Sequence, residues 1–373
     1  MFTFKDYNFR KYDIFLILLC IGITILGITF IKSADSSYVE RQKMGLIVGL
    51  LFMLFFSLLN YSFLLKFYWV IYAFSIALLV AVQLFGDSGG GAQRWFEFGG
   101  IRFQPSELVK ILLILFYAAF IMKHRENLNT VRIVLMCVLL ILPPFYLIFS
   151  QPDLSTSIMI VAIFGVVMFV GGISWKIIAA VLAIGVPSFV LALSYAMQDS
   201  VDILGEYQKN RILAWLYPDE YSSTEAYQTL NAMTAIGSGQ LAGKGINNNV
   251  IASVKNGNFI SEAHTDFIFA VVGEETGFIG CCTVIGLLFL IVLSCLLIAR
   301  KAKDLAGQII AAGMAGLVGF QTFINIGVVT GLLPNTGLPL PFVSYGLTSL
   351  VSLFIGIGIV LNVKLQTPQY NFE

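Results

Sequence analysis

Charged side chains that could bind an anionic substrate are concentrated in residues 86–110, GDSGGGAQRWFEFGGIRFQPSELVK. The glycines of this stretch permit a tightly folded loop, and that loop carries Arg94 and Arg102. Glu107 and Lys110 follow one helical turn apart, where an apolar run begins, so they can form an ion pair as they enter it. A lysine at that depth needs a partner. Either Lys110 extends back toward polar surface beside an interfacial Glu107, or the segment forms a cationic site for an anionic head group.

Two helix starts are also predicted from polar residues. In QPDLS, residues 151–155, the proline suits the first turn of a helix, and the helix dipole favours Asp153 near that N-terminus. We expect Asp153 to cap this helix, with a second possible task of orienting Lys110 or an arginine. Ser106 is expected to cap the helix that follows the arginine-bearing loop.

A carboxylate suited to general-base chemistry lies in residues 261–280, SEAHTDFIFAVVGEETGFIG. If this stretch is one helix, its turn of about 100° per residue places Asp266 above Gly273, Gly277 and Gly280. Such a small-residue stripe permits close helix packing, so Asp266 is predicted to face protein. Partial desolvation would raise its pKa and nearby arginines would lower it, and either suits an adjustable base. The alternative role is a helix-capping carboxylate.

Three further acid or base groups lie near Asp266 in the sequence. His264 lies two residues from Asp266 and need not share its helix face, so it is either a substrate contact or an interfacial loop residue. Glu274 and Glu275 lie about 12 Å deeper by helical rise. They must face other helices or be protonated.

The glycine-rich run GSGQLAGKG, residues 237–245, is not a P-loop. The position of the required first glycine is Ser238, and Lys244 is followed by glycine instead of Ser or Thr. Two interpretations stay open: a flexible loop whose Lys244 approaches a phosphate, or a plain linker.

A proline-rich segment, NTGLPLPFVSYG at residues 335–346, cannot continue a helix. It is predicted to form a stiff re-entrant or surface loop against the next apolar run. Ser344 and Tyr345 could hydrogen-bond a ligand there or anchor the loop.

The elements that must position these residues are helices in a membrane. The 373 residues are 58% hydrophobic and 12% charged, whereas soluble chains carry roughly 25% charged residues. A bilayer takes about 20 apolar residues per helix, and ten apolar runs qualify. They are residues 14–31, 45–59, 63–85, 108–122, 133–149, 156–170, 177–195, 267–299, 309–330 and 346–363. The run 267–299 is longer than one crossing needs, so its first part should lie at the interface or in a protein-lined cavity.

The chain is thus expected to be an all-α polytopic membrane protein with one domain, residues 1–373. Ten crossings put both termini on one side, and the Lys and Arg residues of the short loops make that side cytoplasmic. Residues 86–107, 331–345 and one large loop, 197–265, between the seventh and eighth helices then face outward. The net charge of +1 gives no electrostatic case for nucleic-acid binding.

The five cysteines all lie inside apolar runs, which argues against a disulfide framework. Their spacing does not fit a metal site, and only two histidines are present. No cofactor is predicted with certainty, although a divalent cation such as Mg²⁺ or Mn²⁺ could help to hold a diphosphate.

Five blocks of sequence, in order, resemble the SEDS proteins of RodA and FtsW type. The blocks are GAQRWFEFGGIRFQPSELVK, QPDLSTS, AIGSGQLAGKG, AHTDFIFAVVGEETGFIG and NIGVVTGLLPNTGLPLPFVSYG. The last block looks more like RodA than FtsW, although Leu347 stands where many members have a second glycine after SYG. The resemblance covers nearly the whole chain.

This resemblance implies a peptidoglycan glycosyltransferase. Such an enzyme polymerises lipid II at the outer face of the bacterial cytoplasmic membrane together with a class B penicillin-binding protein. By the same resemblance Asp266 matches the catalytic aspartate of the family. Arg94, Arg102, Glu107 and Lys110 match its first outer motif, and Asp153 matches its QPD motif.

The residue inventory suits that chemistry independently. A sugar hydroxyl that attacks a polyprenyl-diphosphate sugar needs a base and a cationic site for the departing diphosphate, but no strong acid. We expect Asp266 to be the base. The expected substrate-binding residues are Arg94, Arg102, Glu107, Lys110, Asp153, Lys244, His264 and Ser344. The polyprenyl tails would lie in a groove between helices, open to membrane lipid.

Two other functions use the same residues. A lipid II flippase could use Lys110, Glu274 and Glu275 as its polar path. A non-catalytic scaffold for a penicillin-binding protein would neither polymerise nor move lipid II. The charge-rich loops lie on one predicted side only, which favours the enzyme.

Overall fold

The computed structural model describes residues 7–89, 92–98, 101–151, 153–196, 206–224, 226–247, 259–261 and 263–367. Across these residues the chain forms thirteen α-helices. They are α1 (Ile14–Ala34), α2 (Val39–Leu58), α3 (Tyr61–Leu65), α4 (Tyr68–Phe85), α5 (Pro105–Lys123), α6 (Val131–Ser150), α7 (Leu154–Val170), α8 (Trp175–Ala196), α9 (Glu206–Leu216), α10 (Tyr227–Ser238), α11 (Ile268–Arg300), α12 (Leu305–Val329) and α13 (Leu347–Leu365).

Within the described ranges, eight helices are long and apolar enough to cross a membrane. They contain α1, α2, α4, α5, α6, α11, α12 and α13. Two shorter apolar helices, α7 and the Trp175–Gly185 part of α8, coincide with the sixth and seventh predicted runs. The polytopic helical architecture predicted from composition is therefore confirmed.

The first and last described residues of the chain lie at one end of the helices. The Asn8 amide donates to the Leu365 carbonyl (2.9 Å), and Lys11 Nζ donates to the Thr367 carbonyl (3.3 Å). We call this the terminal end. At the opposite end, called the loop end, the Gln104 amide donates to Thr348 Oγ1 (3.2 Å). The first and last described segments are therefore close together, and the placement of both termini on the cytoplasmic side stays a prediction.

A small antiparallel sheet at the loop end, which the sequence did not predict, accompanies the helices. Its strands are β1 (Asp87–Gly89), β2 (Ala92–Phe98) and β3 (Ile101–Phe103), in that order. Glu97 pairs with Arg102 across β2 and β3. The Glu97 amide also donates to Asp87 Oδ2 (2.8 Å). The three aromatic residues of QRWFEF favour a strand, and the glycines expected to turn the chain, 90, 91, 99 and 100, lie outside the described residues.

The predicted large loop, residues 197–265, contains two helices, α9 and α10. Two apolar residues of each helix are buried against the rest of the chain: Ile212 and Ala214 in α9, and Ala232 and Ala235 in α10. Residues 197–205, 225, 248–258 and 262 lie outside the described part. The described part of this loop is therefore packed structure on the loop end.

The interior is built from α5, α12 and α13, whose side chains are mostly buried. α13 packs against α2, and α12 packs against α11, α7 and α5. Near the terminal end the buried Asn362 side chain accepts from the Tyr61 amide (2.9 Å) and donates to the Ser57 carbonyl (2.8 Å). A satisfied buried amide of this kind fixes the relative position of α13 and the α2–α3 turn.

The long helix α11 differs from a straight span. It has a non-helical backbone at Gly277, with φ 64° and ψ −161°. Residues 268–275 are all buried, as expected for a first part lined by protein. The prediction of one continuous face from Asp266 to Gly280 is wrong, because the helix begins at Ile268 and is broken at Gly277.

Candidate active site

Asp266 lies at the loop end, in the turn that precedes α11, and it is half-buried. The residue at the cap position of α11 is Phe267, and no side chain caps this helix. The capping role considered for Asp266 is therefore not realised, and its carboxylate is held beside the loop segment 331–346 instead.

Neighbouring elements hold three consecutive carbonyls of the Asp266 turn. The Tyr345 amide donates to His264 O (2.9 Å), Ser344 Oγ donates to Thr265 O (2.7 Å), and Asn325 Nδ2 donates to Asp266 O (2.7 Å). Asn325 is fully enclosed on α12, and it also donates to the Leu338 carbonyl (2.7 Å). The turn is thus tied to α12 and to the loop 331–346, so Asp266 has little freedom to move.

Gly337 shapes the surroundings of the carboxylate. Its φ of +77° belongs to the left-handed region that favours glycine. A Cβ at this position would lie 3.2 Å from Asp266 Oδ2 and 3.9 Å from Arg211 Nη1. The carboxylate and the guanidinium therefore both lie close to the point that a Cβ of residue 337 would occupy.

Arg211 was not among the predicted site residues. It lies on α9, and its Nη1 donates to the Asn335 carbonyl (3.3 Å). Sequence placed it only in a long polar loop. The sequence feature that could have indicated it is the segment NRILAWL. In this segment Arg211 is followed by apolar residues, a pattern typical of a short helix that packs on the rest of a protein. The structure brings together a carboxylate and a cation that are 55 positions apart in the chain.

The loop 331–346 has neither helix nor strand, as its prolines predict. Side chains from several helices hold its carbonyls. Arg211 donates to Asn335 O, Ser155 Oγ to Thr336 O, Asn325 to Leu338 O and Gln321 Nε2 to Pro339 O (2.9 Å). These bonds satisfy backbone groups that an irregular segment among membrane helices would otherwise leave unpaired.

The predicted pair of Glu107 and Lys110 is confirmed, but in a different environment. Lys110 Nζ lies 2.8 Å from Glu107 Oε1, and the two side chains are only 1% and 4% exposed. Lys110 therefore does not extend to the polar surface, contrary to the first alternative. It donates to Gln321 Oε1 (3.1 Å), and Gln321 in turn holds the loop at Pro339. A direct role for Lys110 in substrate binding stays a prediction.

The predicted cap by Asp153 is confirmed, whereas that by Ser106 is wrong. Asp153 Oδ1 accepts from the Thr156 amide (3.0 Å) at the start of α7, and its Oδ2 accepts from Gln104 Nε2 (3.4 Å). The cap position of α5 is Gln104, without a side-chain bond. Ser106 lies inside α5, because Pro105 takes its first position.

The two predicted arginines of the sheet have different surroundings. Arg94 is half-buried, and its Nε donates to the Gln151 carbonyl (2.9 Å), which ties β2 to the end of α6. Arg102 is 66% exposed and lies 3.5 Å from Glu97. Arg102 is thus accessible at the loop end, and the substrate-binding roles of both arginines stay predictions.

His264 stacks on Tyr38, with ring centroids 4.2 Å apart, and contacts Tyr345. The hydrogen bonds of Asp35 with Ser37, together with the charge of His264, hold the pKa of Asp35 below its usual value. Ser344 accepts from the Leu340 amide (2.7 Å) while it donates to Thr265 O. Both of these bonds anchor the loop, which favours the anchoring alternative for Ser344.

Lys244 is not on a free flexible loop. Its Nζ lies 2.8 Å from Glu274 Oε1, a carboxylate that is 3% exposed, and the Lys244 side chain is 26% exposed. The prediction that Glu274 faces other parts of the protein is confirmed by this contact. Glu275 is also buried and accepts from Ser33 Oγ on α1.

The five cysteines of the chain are free, and four of them are buried. Among the described residues, no group of three His, Cys, Asp or Glu side chains is arranged to hold a metal ion.

The sequence matches the FtsW, RodA and SpoVE family, described as cell cycle proteins, over residues 11–369. The chain belongs to this family. Among curated relatives, it is 38% identical over 296 residues to the peptidoglycan glycosyltransferase MrdB of Escherichia coli K12, covering 79% of this chain and 76% of that protein. It is 33% identical to the probable peptidoglycan glycosyltransferase FtsW of Bacillus subtilis 168, covering 97% of this chain and 91% of that one.

Solved structures of this family have the same fold. One chain, from "Structural coordination of polymerization and crosslinking by a peptidoglycan synthase complex", has a TM-score of 0.77 and 32% identity, with 95% of this chain and 97% of that chain covered. The rod shape determining protein RodA of Thermus thermophilus has a TM-score of 0.70 and 30% identity, with 96% and 98% covered. The predicted SEDS membership is thereby confirmed.

Proposed function

We propose that this chain polymerises lipid II into glycan strands, with Asp266 as the general base, at the outer face of the bacterial cytoplasmic membrane. The chain is a peptidoglycan glycosyltransferase, the activity that its curated relatives carry in their names. The observation that supports Asp266 is its half-buried carboxylate, in a turn held by three hydrogen bonds and beside the Arg211 guanidinium.

The reaction joins an acceptor sugar to a donor sugar on a polyprenyl diphosphate. Asp266 takes the proton from the GlcNAc 4-hydroxyl of the acceptor as that oxygen attacks the anomeric carbon of the donor MurNAc. The bond from this carbon to the diphosphate breaks, and inversion gives a β-1,4 link. Undecaprenyl diphosphate leaves with the bonding electron pair. No general acid is needed because diphosphate is already a stable anion.

Cations near the carboxylate stabilise the charge that develops on the diphosphate. Arg211 is the cation that the described structure brings next to Asp266, and Arg102 is exposed on the sheet at the same end. A rigid carboxylate close to a fixed cation needs little reorganisation during the reaction. A divalent cation that arrives with the diphosphate would also stabilise the developing charge. The residues around Asp266 would position its carboxylate in the same way.

The charges of the short loops support the outward orientation that we propose for the site. Arg10, Lys11, Lys66 and Arg125 lie at or near the terminal end, which the positive-inside rule assigns to the cytoplasm. The loop end, with Asp266, then meets lipid II on the opposite face. The lipid tails would lie between helices while the sugars reach the loop end.

A penicillin-binding protein of class B is the partner that we propose. One structural relative comes from a peptidoglycan synthase complex that is described as coordinating polymerization and crosslinking. A transpeptidase beside this chain would crosslink the strands as they emerge from the loop end. The RodA-like features of the last sequence block support a role in cell-shape maintenance.

The experiment uses labelled lipid II in liposomes with the purified chain, with and without its transpeptidase. Wild type should elongate glycan strands without ATP, and Asp266→Asn, which keeps the shape and removes the base, should not. Asp219→Asn is the matched control, because Asp219 is an exposed acid of the same large loop. Near wild-type polymerisation by Asp266→Asn would refute the assignment. Translocation without polymer would indicate the transporter, and neither activity would indicate a scaffold.

A further inference from the structure

The break in α11 opens two hydrogen bonds of the helix. In a continuous α-helix the amides of Phe278 and Ile279 would donate to the carbonyls of Glu274 and Glu275, four residues earlier. At Gly277 the backbone has φ 64° and ψ −161°, which is not helical. Backbone groups released in this way must find other partners when they lie among membrane helices.

The segment 239–247, which we call the clasp, supplies those partners. Phe278 N–H donates to Gln240 O (2.8 Å), Ile279 N–H donates to Leu241 O (3.2 Å), Lys244 N–H donates to Glu274 O (2.9 Å) and Gly245 N–H donates to Glu275 O (2.9 Å). Both donors and both acceptors freed by the break are therefore satisfied by the clasp. The clasp belongs to the large loop between α8 and α11. This loop therefore contacts the backbone of the membrane-spanning helix α11 on both sides of its break.

Close backbone approach makes this insertion possible. A Cβ on Gly239 would collide with the Gly273 carbonyl, and a Cβ on Gly243 would collide with the Glu275 carbonyl. At the break itself, a Cβ on Gly277 would lie 2.5 Å from the Gly243 nitrogen. Three glycines thus allow two stretches of backbone to lie in direct contact.

Side-chain charges add to the backbone bonds. Lys244 Nζ pairs with Glu274 Oε1 at 2.8 Å, where Glu274 is almost completely enclosed. Glu275 accepts from Ser33 Oγ on α1 and from the Asn247 amide (3.3 Å). Removal of one member of a buried ion pair leaves the other charge uncompensated, which is strongly unfavourable. The clasp is therefore held to α11 by charge as well as by backbone.

The break is the base of a short lever that ends at Asp266. Residues 268–276, which we call the arm, run from the break to the turn that carries the candidate base. The nine helical residues of the arm correspond to about 14 Å of helical rise, and the Asp266 turn stands at the end of the arm that is far from the break. A tilt of about 4° at the break would move the carboxylate by ~1 Å, and a shift of this size can cost about 10²-fold in rate.

We propose that the clasp fixes the angle of the arm, and that Lys244 and Glu274 are positioning residues for Asp266. This inference rests on the proposed function, in which Asp266 is the base. It assigns Lys244 to the protein framework, whereas the sequence suggested a phosphate contact.

The test measures initial rates of lipid II polymerisation as a function of lipid II concentration. Lys244→Gln should lower kcat by about 10- to 100-fold while KM stays within about twofold of wild type. The double variant Lys244→Glu with Glu274→Lys restores an ion pair with opposite polarity and should recover most of kcat. A glutamate at position 244 cannot bind a diphosphate, so this recovery separates positioning from substrate binding.

The control is the same exchange at Lys43 and Glu40, an exposed pair with Nζ–Oε1 at 2.7 Å on α2, which should leave both constants unchanged. A rise in KM with unchanged kcat in Lys244→Gln, not recovered in the double variant, would overturn the proposal. Wild-type constants in Lys244→Gln would also overturn it.

Hydrogen exchange gives a readout that does not depend on turnover. In Lys244→Gln the amides of 268–279 should exchange faster than in wild type, and in the double variant their protection should return. Unchanged protection of 268–279 in Lys244→Gln would contradict the clasp. An active Asp266→Asn would instead refute the proposed function, so the two failures are distinguishable.

Discussion

Substitution of Gly337 by alanine perturbs the candidate base from the backbone side. Gly337 has φ +77°, and an alanine in the left-handed region costs roughly 1–2 kcal/mol. The added Cβ would also lie 3.2 Å from Asp266 Oδ2. Because this is closer than ordinary van der Waals contact, the carboxylate must move by a few tenths of an ångström.

The expected result has two parts. Stability of Gly337→Ala should fall by roughly 1–2 kcal/mol, seen as a lower midpoint of thermal unfolding in detergent. The polymerisation rate should fall about 5- to 10-fold in addition, since a shift of ~1 Å can cost about 10²-fold and this shift is smaller. KM should change little.

Gly172 provides the matched control for backbone strain. It has φ +92°, and a Cβ there would meet nothing within 4 Å. Gly172→Ala should therefore lose similar stability with little loss of rate. If Gly337→Ala polymerises as fast as Gly172→Ala, the carboxylate is not held against Gly337 in the active enzyme and the description of the site is wrong.

Three further predictions concern the surroundings of Asp266. Arg211→Gln should lower the polymerisation rate by about 10²-fold, because a fixed cation close to the developing charge is lost. Arg211→Lys should recover only part of this rate, because the lysine charge is displaced from the guanidinium position. Equal rates for wild type and Arg211→Gln would contradict this role. Asn325→Leu should lower the polymerisation rate, and it should lower the free energy of unfolding by roughly 1–3 kcal/mol, because the carbonyls of Asp266 and Leu338 lose their donor. An unchanged midpoint of thermal unfolding would argue against these bonds. Asp35 has a lowered pKa in the folded chain, so its stabilising effect is present above its unfolded pKa of about 3.9 and is lost as the pH falls through the lower folded value. The difference in unfolding midpoint between wild type and Asp35→Asn should therefore shrink below about pH 4, and a constant difference would contradict it.

Much of the fold could be predicted from the sequence because apolar length is a local property. The ten apolar runs correspond to the eight long helices and two shorter ones. The pair of Glu107 and Lys110 and the cap at Asp153 were also accessible, since each depends on residues three apart in one chain segment. These predictions needed no knowledge of distant contacts.

The contacts of the loop end could not be predicted in the same way. Arg211 reaches Asn335 through the packing of α9 on the loop 331–346, and no local pattern states that contact. Lys244 meets Glu274 because the clasp enters a helix break, whereas Gly277 looked like part of an unbroken small-residue face. Both errors come from long-range backbone geometry, which local periodicity does not encode.

The most direct test of the central claim is single-turnover polymerisation by Asp266→Asn at saturating lipid II, with lipid II binding measured on the same sample. The account predicts unchanged binding and a rate lower than that of wild type by at least about 10²-fold, the usual contribution of a general base. Binding and rate both close to wild type would contradict it.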